Sequence, residues 1–176
     1  MMRNTRLVLA LLATFAATAQ ANANEELYKI KTIKLMYNDA IRAAEKDFGN
    51  SSLDTVFAYS DRELQNAIAL IQSNTMSRYE EYEYAISPCS DTVYIPKLAV
   101  GNAYSINEAS AINYRLLNNG RVRASIMVQG NEDINAADFI EYKDFELTCQ
   151  GATCKVSDVF DSYGNSAKFE ADKACR

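Results

Sequence analysis

The sequence contains no histidine. A Ser-His-Asp triad, a Cys-His dyad and a His-ligated zinc are therefore excluded. Tryptophan is also missing, and only two prolines and six glycines occur in 176 residues. That is too little for a low-complexity linker or a collagen-like repeat. Four cysteines are present, but none sits in a CxxC pair, the spacing typical of thiol redox centres and zinc sites. No Gly-rich phosphate loop or calcium loop occurs. The Ser, Cys and Lys side chains have no recognisable base near them in sequence. The expectation is a protein with no cofactor and no metal.

What is present begins with a leader. Arg3 and Arg6 precede an apolar run from Leu7 to Ala19, followed by Ala19-Gln20-Ala21 and Ala21-Asn22-Ala23. A basic start, a short apolar core and a small-x-small site read as a secretory signal peptide over residues 1–23. A membrane anchor would need about 20 apolar residues. The first cysteine is Cys89, so no lipid-bearing Cys stands at the cleavage site. The leader has a bacterial style, and the expected location is the periplasm or the medium, with no membrane anchor after cleavage.

Cleavage takes two basic residues and no acid, so the net charge moves from −5 to −7. Residues 24–176 are the size of one domain. An acidic chain is not suited to nucleic acid. Its charge fits either plain solubility or a basic exported protein as partner.

Four cysteines in an exported chain predict two disulfides, with three possible connectivities. Cys149 and Cys154 flank Gln-Gly-Ala-Thr between two strand-like runs, which pairs them across a hairpin. Cys89 is left with Cys175. In the chain-entropy model the local bridge contributes roughly 2 kcal/mol and the long one about 4–5 kcal/mol.

The first half of the mature chain has helical periodicity. Leu27, Ile30, Ile33, Tyr37, Ile41, Ala44 and Phe48 form one stripe from Glu25 to about Lys46, stopping at Gly49-Asn50. Ser52 can cap a short helix holding Leu53, Val56 and Phe57. Ser60-Asp61-Arg62-Glu63 fits a capping box opened by Ser60, and the helix behind it carries Leu64, Ala67, Ile68 and Ile71 to about Gln72–Thr75. The second half alternates. Thr92 to Leu98 is a short strand candidate weakened by Pro96. Ala109 to Leu117 puts Ile112, Tyr114 and Leu116 on one face. Asn118-Asn119-Gly120 is a hairpin turn. Arg121 to Gln129 returns with Val122, Ala124, Ile126 and Val128 on one face, and Gly130 to Asp138 is a loop. Phe139 to Cys149 and Cys154 to Phe160 form a last hairpin, anchored by Phe145, Leu147, Val156 and Val159. A short helix from about Ser166 to Cys175 follows. Helices first and a meandering sheet afterwards predict an α+β domain, with the long helix lying on a curved antiparallel sheet.

This order resembles the nuclear transport factor 2-like (cystatin-like, α+β cone) superfamily. The likeness rests on the long first helix, the short helix before Tyr59-Ser60, the capped helix from Asp61, the Asn119-Gly120 hairpin and the closing strand Lys155 to Phe160. It extends to small bacterial exported proteins of unknown function, which end in a similar strand, a Gly and a short helix, here Gly164 to Phe169. The resemblance implies a conical cavity between helix and sheet. Enzymes of this superfamily commonly use an Asp or His deep in the cone, with Tyr and Asp as partners. Here only Asp158 and Tyr37 match, and loosely.

Four residues are candidates for such a pocket: Tyr37, Tyr59, Tyr114 and Asp158. Asp158 would be a general base if it pointed into a dry cone. The commoner outcome is a carboxylate that faces solvent or caps a turn. Arg115, Arg121 and Arg123 surround one hairpin and read either as an anion-binding patch or as a solvated outer face. Tyr79, Glu80, Glu81, Tyr82, Glu83 and Tyr84 combine aromatic and acidic groups, as a surface for a basic partner would. Without such a partner they read as a helix end packing on the sheet. The expected role is non-catalytic binding, sharpened to an inhibitor or immunity protein against a secreted toxin or cell-wall hydrolase. The competing role is a small-molecule-binding or enzymatic cone using Asp158.

Overall fold

A computed structural model describes residues 24–43, 52–78, 89, 111–128 and 137–175. Helix α1 occupies residues 24–43. It is followed by α2 (Ser52–Tyr59), α3 (Arg62–Arg78), strands β1 (Asn113–Leu116), β2 (Val122–Val128), β3 (Phe139–Gln150) and β4 (Thr153–Phe160), and helix α4 (Ala167–Cys175). The strands form one antiparallel sheet in the order β1-β2-β3-β4. The architecture is α+β, with helices before and after a meander.

The sheet follows from period-two alternation. Val122, Ala124 and Ile126 are buried on one face of β2, and Phe145 and Leu147 on the same face of β3. The β1–β2 turn needs a residue with positive φ, and Gly120 supplies it at 80°. Leu117 N–H donates to the Arg121 carbonyl and Gly120 N–H to that of Leu117, which closes the loop. At the other hairpin Gly151 has φ 61°.

Val156 and Val159 both sit in the core with no exposure. A regular strand would place residues three apart on opposite faces. The register explains it: Leu147 pairs with Val156 and Glu146 with Asp158, leaving Ser157 as an extra residue in β4. This bulge re-phases the strand, so that Val159 meets Phe145 on the inner face and Asp158 meets Glu146 on the outer face.

On the inner face lie α1, α2 and α3. From α1 the core receives Ile33, Met36 and Tyr37, with Tyr28, Ile30 and Ile41 packed around them. Met36 was absent from the expected stripe, whereas Leu27, which was in it, is 63 % exposed on the first turn. The expected stripe positions Ala44 and Phe48 lie outside the described residues. Helix α2 buries Val56 but leaves Phe57 exposed. Helix α3 buries Leu64, Ala67, Ile68 and Ile71, as the spacing predicts.

The cap of α3 differs from expectation. Asp61 Oδ1, not Ser60, accepts the Leu64 N–H at 3.0 Å. Ser60 is held by tertiary structure: it bridges Val156 on β4, and its hydroxyl donates to the Val56 carbonyl. Asp61 N–H donates to the Val156 carbonyl, so the α2–α3 junction is pinned to the free side of β4. Glu63 reaches away from the cap, to Lys168 on α4. Helix α3 also runs further than expected, to Arg78.

Both predicted disulfides are present, Cys149–Cys154 and Cys89–Cys175, and no cysteine is free. No helix among the described residues is long and apolar enough to cross a membrane.

Candidate functional site

Of the four expected pocket residues, the fold brings two together. Tyr37 on α1 and Tyr114 on β1 meet edge-to-face at 5.8 Å between centroids, and Phe145 stands edge-on to Tyr37 at 6.0 Å. Burial pushes the Tyr37 hydroxyl well above its ordinary pKa, and the negative charge that Tyr114 and Glu141 can carry adds to this. Burial likewise raises Tyr114 to about 12. Both phenols are therefore neutral at physiological pH, with donor and acceptor capacity but no charge.

Two further titratable residues share this inner face, and neither was singled out from the sequence. Ala124 pairs with Lys143 and Ile126 with Glu141, so both β3 side chains point the same way as the core positions of β2. Lys143 is only 6 % exposed. Burial lowers its pKa, with Glu141 and Asp161 acting in the opposite direction. A signal existed in the sequence: Glu141 and Lys143 share parity with the anchor Phe145. The cavity lined by Tyr37, Glu141, Lys143 and their neighbours measures about 10 Å³. That is room for about one water molecule and no more.

Tyr59 is directed elsewhere. Its hydroxyl donates to Asp39 Oδ2 at 2.5 Å, latching α2 to α1. Burial and this bond raise its pKa to about 12. Asp39 lies two residues from Tyr37, and positions two apart on a helix do not share a face. The Tyr59 hydroxyl is thereby drawn away from the Tyr37–Tyr114 pair.

Asp158 stands on the opposite face of the sheet from Tyr37 and Tyr114, through the bulge described above. Its Oδ2 accepts the Ser166 hydroxyl at 2.5 Å, and its Oδ1 accepts the Lys168 N–H at 3.1 Å and the Val159 N–H at 2.8 Å. Ser166 is the residue before α4, and its Oγ accepts the Phe169 N–H at 2.9 Å. Together Asp158 and Ser166 satisfy the N–H groups at the second and third positions of α4, groups that a helix leaves without partners. The carboxylate acts as a helix cap supplied from a strand.

The three arginines lie on the outer face. Arg123 makes a two-pronged ion pair with Asp144 at 2.6 and 2.8 Å, and its guanidinium lies 3.8 Å from the Tyr142 ring centroid. The hydrogen bonds to Asp144 hold its pKa above the ordinary value. Arg121 bonds Glu146 at 3.2 Å and stacks 3.3 Å above Phe160. Two of the three cations thus carry their own carboxylates and rings. Only Arg115, directly across from Arg123 on the exposed side of β1, is left of the expected anion patch.

The run Tyr79, Glu80, Glu81, Tyr82, Glu83 and Tyr84 lies outside the described residues, as do the leader, the candidate strand Thr92 to Leu98 and most of the loop from Gly130. Among the described residues no group of three or more Cys, Asp or Glu is arranged to hold a metal ion. No buried side-chain nitrogen or oxygen among them lacks a hydrogen-bond partner. No protein-family model, no curated protein and no solved structure matches this chain.

Proposed function

We propose that this chain is an exported binding module that acts through contact with another protein. Residues 1–23 are its signal peptide and the periplasm or the medium its destination. Two disulfides support the export reading, since such bonds persist in oxidising compartments. The sharper form of the proposal is an inhibitor or immunity protein for a basic secreted toxin or cell-wall hydrolase. The helix–sheet order supports the further proposal that the domain belongs to the nuclear transport factor 2-like superfamily.

One observation carries the binding reading. The carboxylate with the best sequence credentials for general-base chemistry, Asp158, has both oxygens engaged in capping α4. A base must present its carboxylate to the substrate proton, whereas Asp158 is buried and turned to the first turn of α4. The test is affinity capture with the mature domain from the exported fraction of the source cells. One tight basic partner, lost on charge reversal of Glu80, Glu81 and Glu83, supports the proposal. Capture that ignores this reversal overturns the acidic-surface version.

A further inference from the structure

A groove of about 550 Å³ lies between the start of α3 and the turn end of the β3–β4 hairpin, apart from all the residues considered above for catalysis or partner capture. Every side chain lining it is polar or charged. On the hairpin wall Thr148 pairs with Lys155 and Gln150 with Thr153, so the four side chains share one exposed face. The Cys149–Cys154 bond lies between them on the reverse face and locks the two strands.

The walls are positioned by bonds to the backbone. Lys155 Nζ donates to the Ala58 carbonyl at 3.0 Å, and Gln65 Nε2 donates to that of Phe57 at 3.0 Å. Asp61 Oδ1 caps α3. The Thr148 and Thr153 hydroxyls, the Gln150 amide and the Arg62 guanidinium have no hydrogen-bond partner among the described residues. The surface lining the groove is polar and apolar in about equal measure. Such a lining suits a molecule that offers hydroxyls to the side-chain amides and hydroxyls and C–H faces to the apolar part, as a polyhydroxylated ring does. Lys155 and Arg62 bring two positive charges to the groove against the one carboxylate of Asp61, and of the two cations Lys155 already donates to a carbonyl while Arg62 does not. The positive end of the α3 dipole adds to this positive charge.

We propose that this groove binds a short carboxylated saccharide. A uronate-type carboxylate sits against Arg62, and ring hydroxyls sit along Thr148, Gln150 and Thr153. The inference goes beyond protein capture and does not depend on it. The chain as a whole is acidic, so diffuse attraction works against such a ligand and a localised signal would report the groove itself.

The experiment is a titration of the isotope-labelled mature protein with tetragalacturonate, followed by backbone amide shifts. The expected result is millimolar-range saturation, with shifts confined to residues around 60–65 and 148–155. Arg62→Gln should weaken binding about tenfold by removing a charge-assisted contact. The Thr148→Ala/Gln150→Ala double variant should weaken it as well, with unchanged near-ultraviolet circular dichroism in both proteins. Uncharged chitotetraose should bind more weakly than tetragalacturonate to wild type, and Arg62→Gln should leave its binding unchanged. The proposal is overturned if groove amides do not shift at millimolar tetragalacturonate, if Arg62→Gln binds it like wild type, or if the uncharged oligosaccharide binds equally well.

Discussion

Helices α3 and α4 pack on each other and on the same edge of the sheet, yet they are held in opposite ways. Helix α3 carries its own apolar stripe: Leu64, Ala67, Ile68 and Ile71 are all at most 2 % exposed. Its cap, Asp61, is the residue just before it. Helix α4 contributes only Ala167 and Ala171 to the core, while its Phe169 is 68 % exposed. Its cap is completed by Asp158 from β4, its first turn is tied to α3 by Lys168 and Glu63, and its last residue is tethered to Cys89. Two methyl groups bury too little area to dock a nine-residue helix against its ordering entropy. Where apolar burial is small, polar and covalent ties must take its place.

Removing the tether is the strongest way to break this comparison. Opening the 86-residue separation between Cys89 and Cys175 should cost about 4–5 kcal/mol in the chain-entropy model. Replacing both by Ser should lower the denaturation midpoint accordingly. Amides of α4 should exchange first, ahead of those in α3. If both helices lose protection together, α4 is not separately held. Next comes Ile68→Ala, which deletes a fully buried side chain and should cost about 2–5 kcal/mol in chemical denaturation. Here the whole domain should weaken, α3 included.

Asp158→Ala should cost about 1–3 kcal/mol, because it strands the Lys168 N–H and the Ser166 hydroxyl. The loss should appear in α4 by hydrogen exchange and leave α3 protected. A mutation that left α4 unchanged would show the cap to be dispensable. The smallest effect belongs to Asp61→Ala, about 1 kcal/mol for a local cap on a helix already fixed by its stripe. It should be visible as fraying of the first turn only.

Much of this contrast was legible in the sequence. The spacing of Leu64, Ala67, Ile68 and Ile71 gave the buried face of α3, and alternation gave the inner face of β2 down to single residues. The cysteine pairs followed from the expectation of an exported chain and from the hairpin position of Cys149 and Cys154. What was not legible depended on contacts between distant segments. Ser60-Asp61-Arg62-Glu63 offers two caps in consecutive positions, and the bridge from Ser60 to Val156 decides between them. Val156 and Val159 both read as anchors, but no local signal announces the extra residue that lets both face inward. For the same reason Asp158 could be read as facing a cavity, when the bulge turns it to the other side of the sheet. Lys143 has the parity of Phe145, which points inward, but a charged side chain is seldom buried, so parity alone does not announce it.

The spacing of the two disulfides also bears on the order in which the chain becomes covalently fixed. Cys149 and Cys154 are five residues apart and Cys89 and Cys175 are 86 apart. A short loop closes far more often than a long one. As the polypeptide emerges from its amino end, Cys149 and Cys154 become available together while Cys175 is still to come. Were the hairpin pair to close first, it would remove the two thiols that could otherwise compete for Cys89, and Cys175 would be the one partner left.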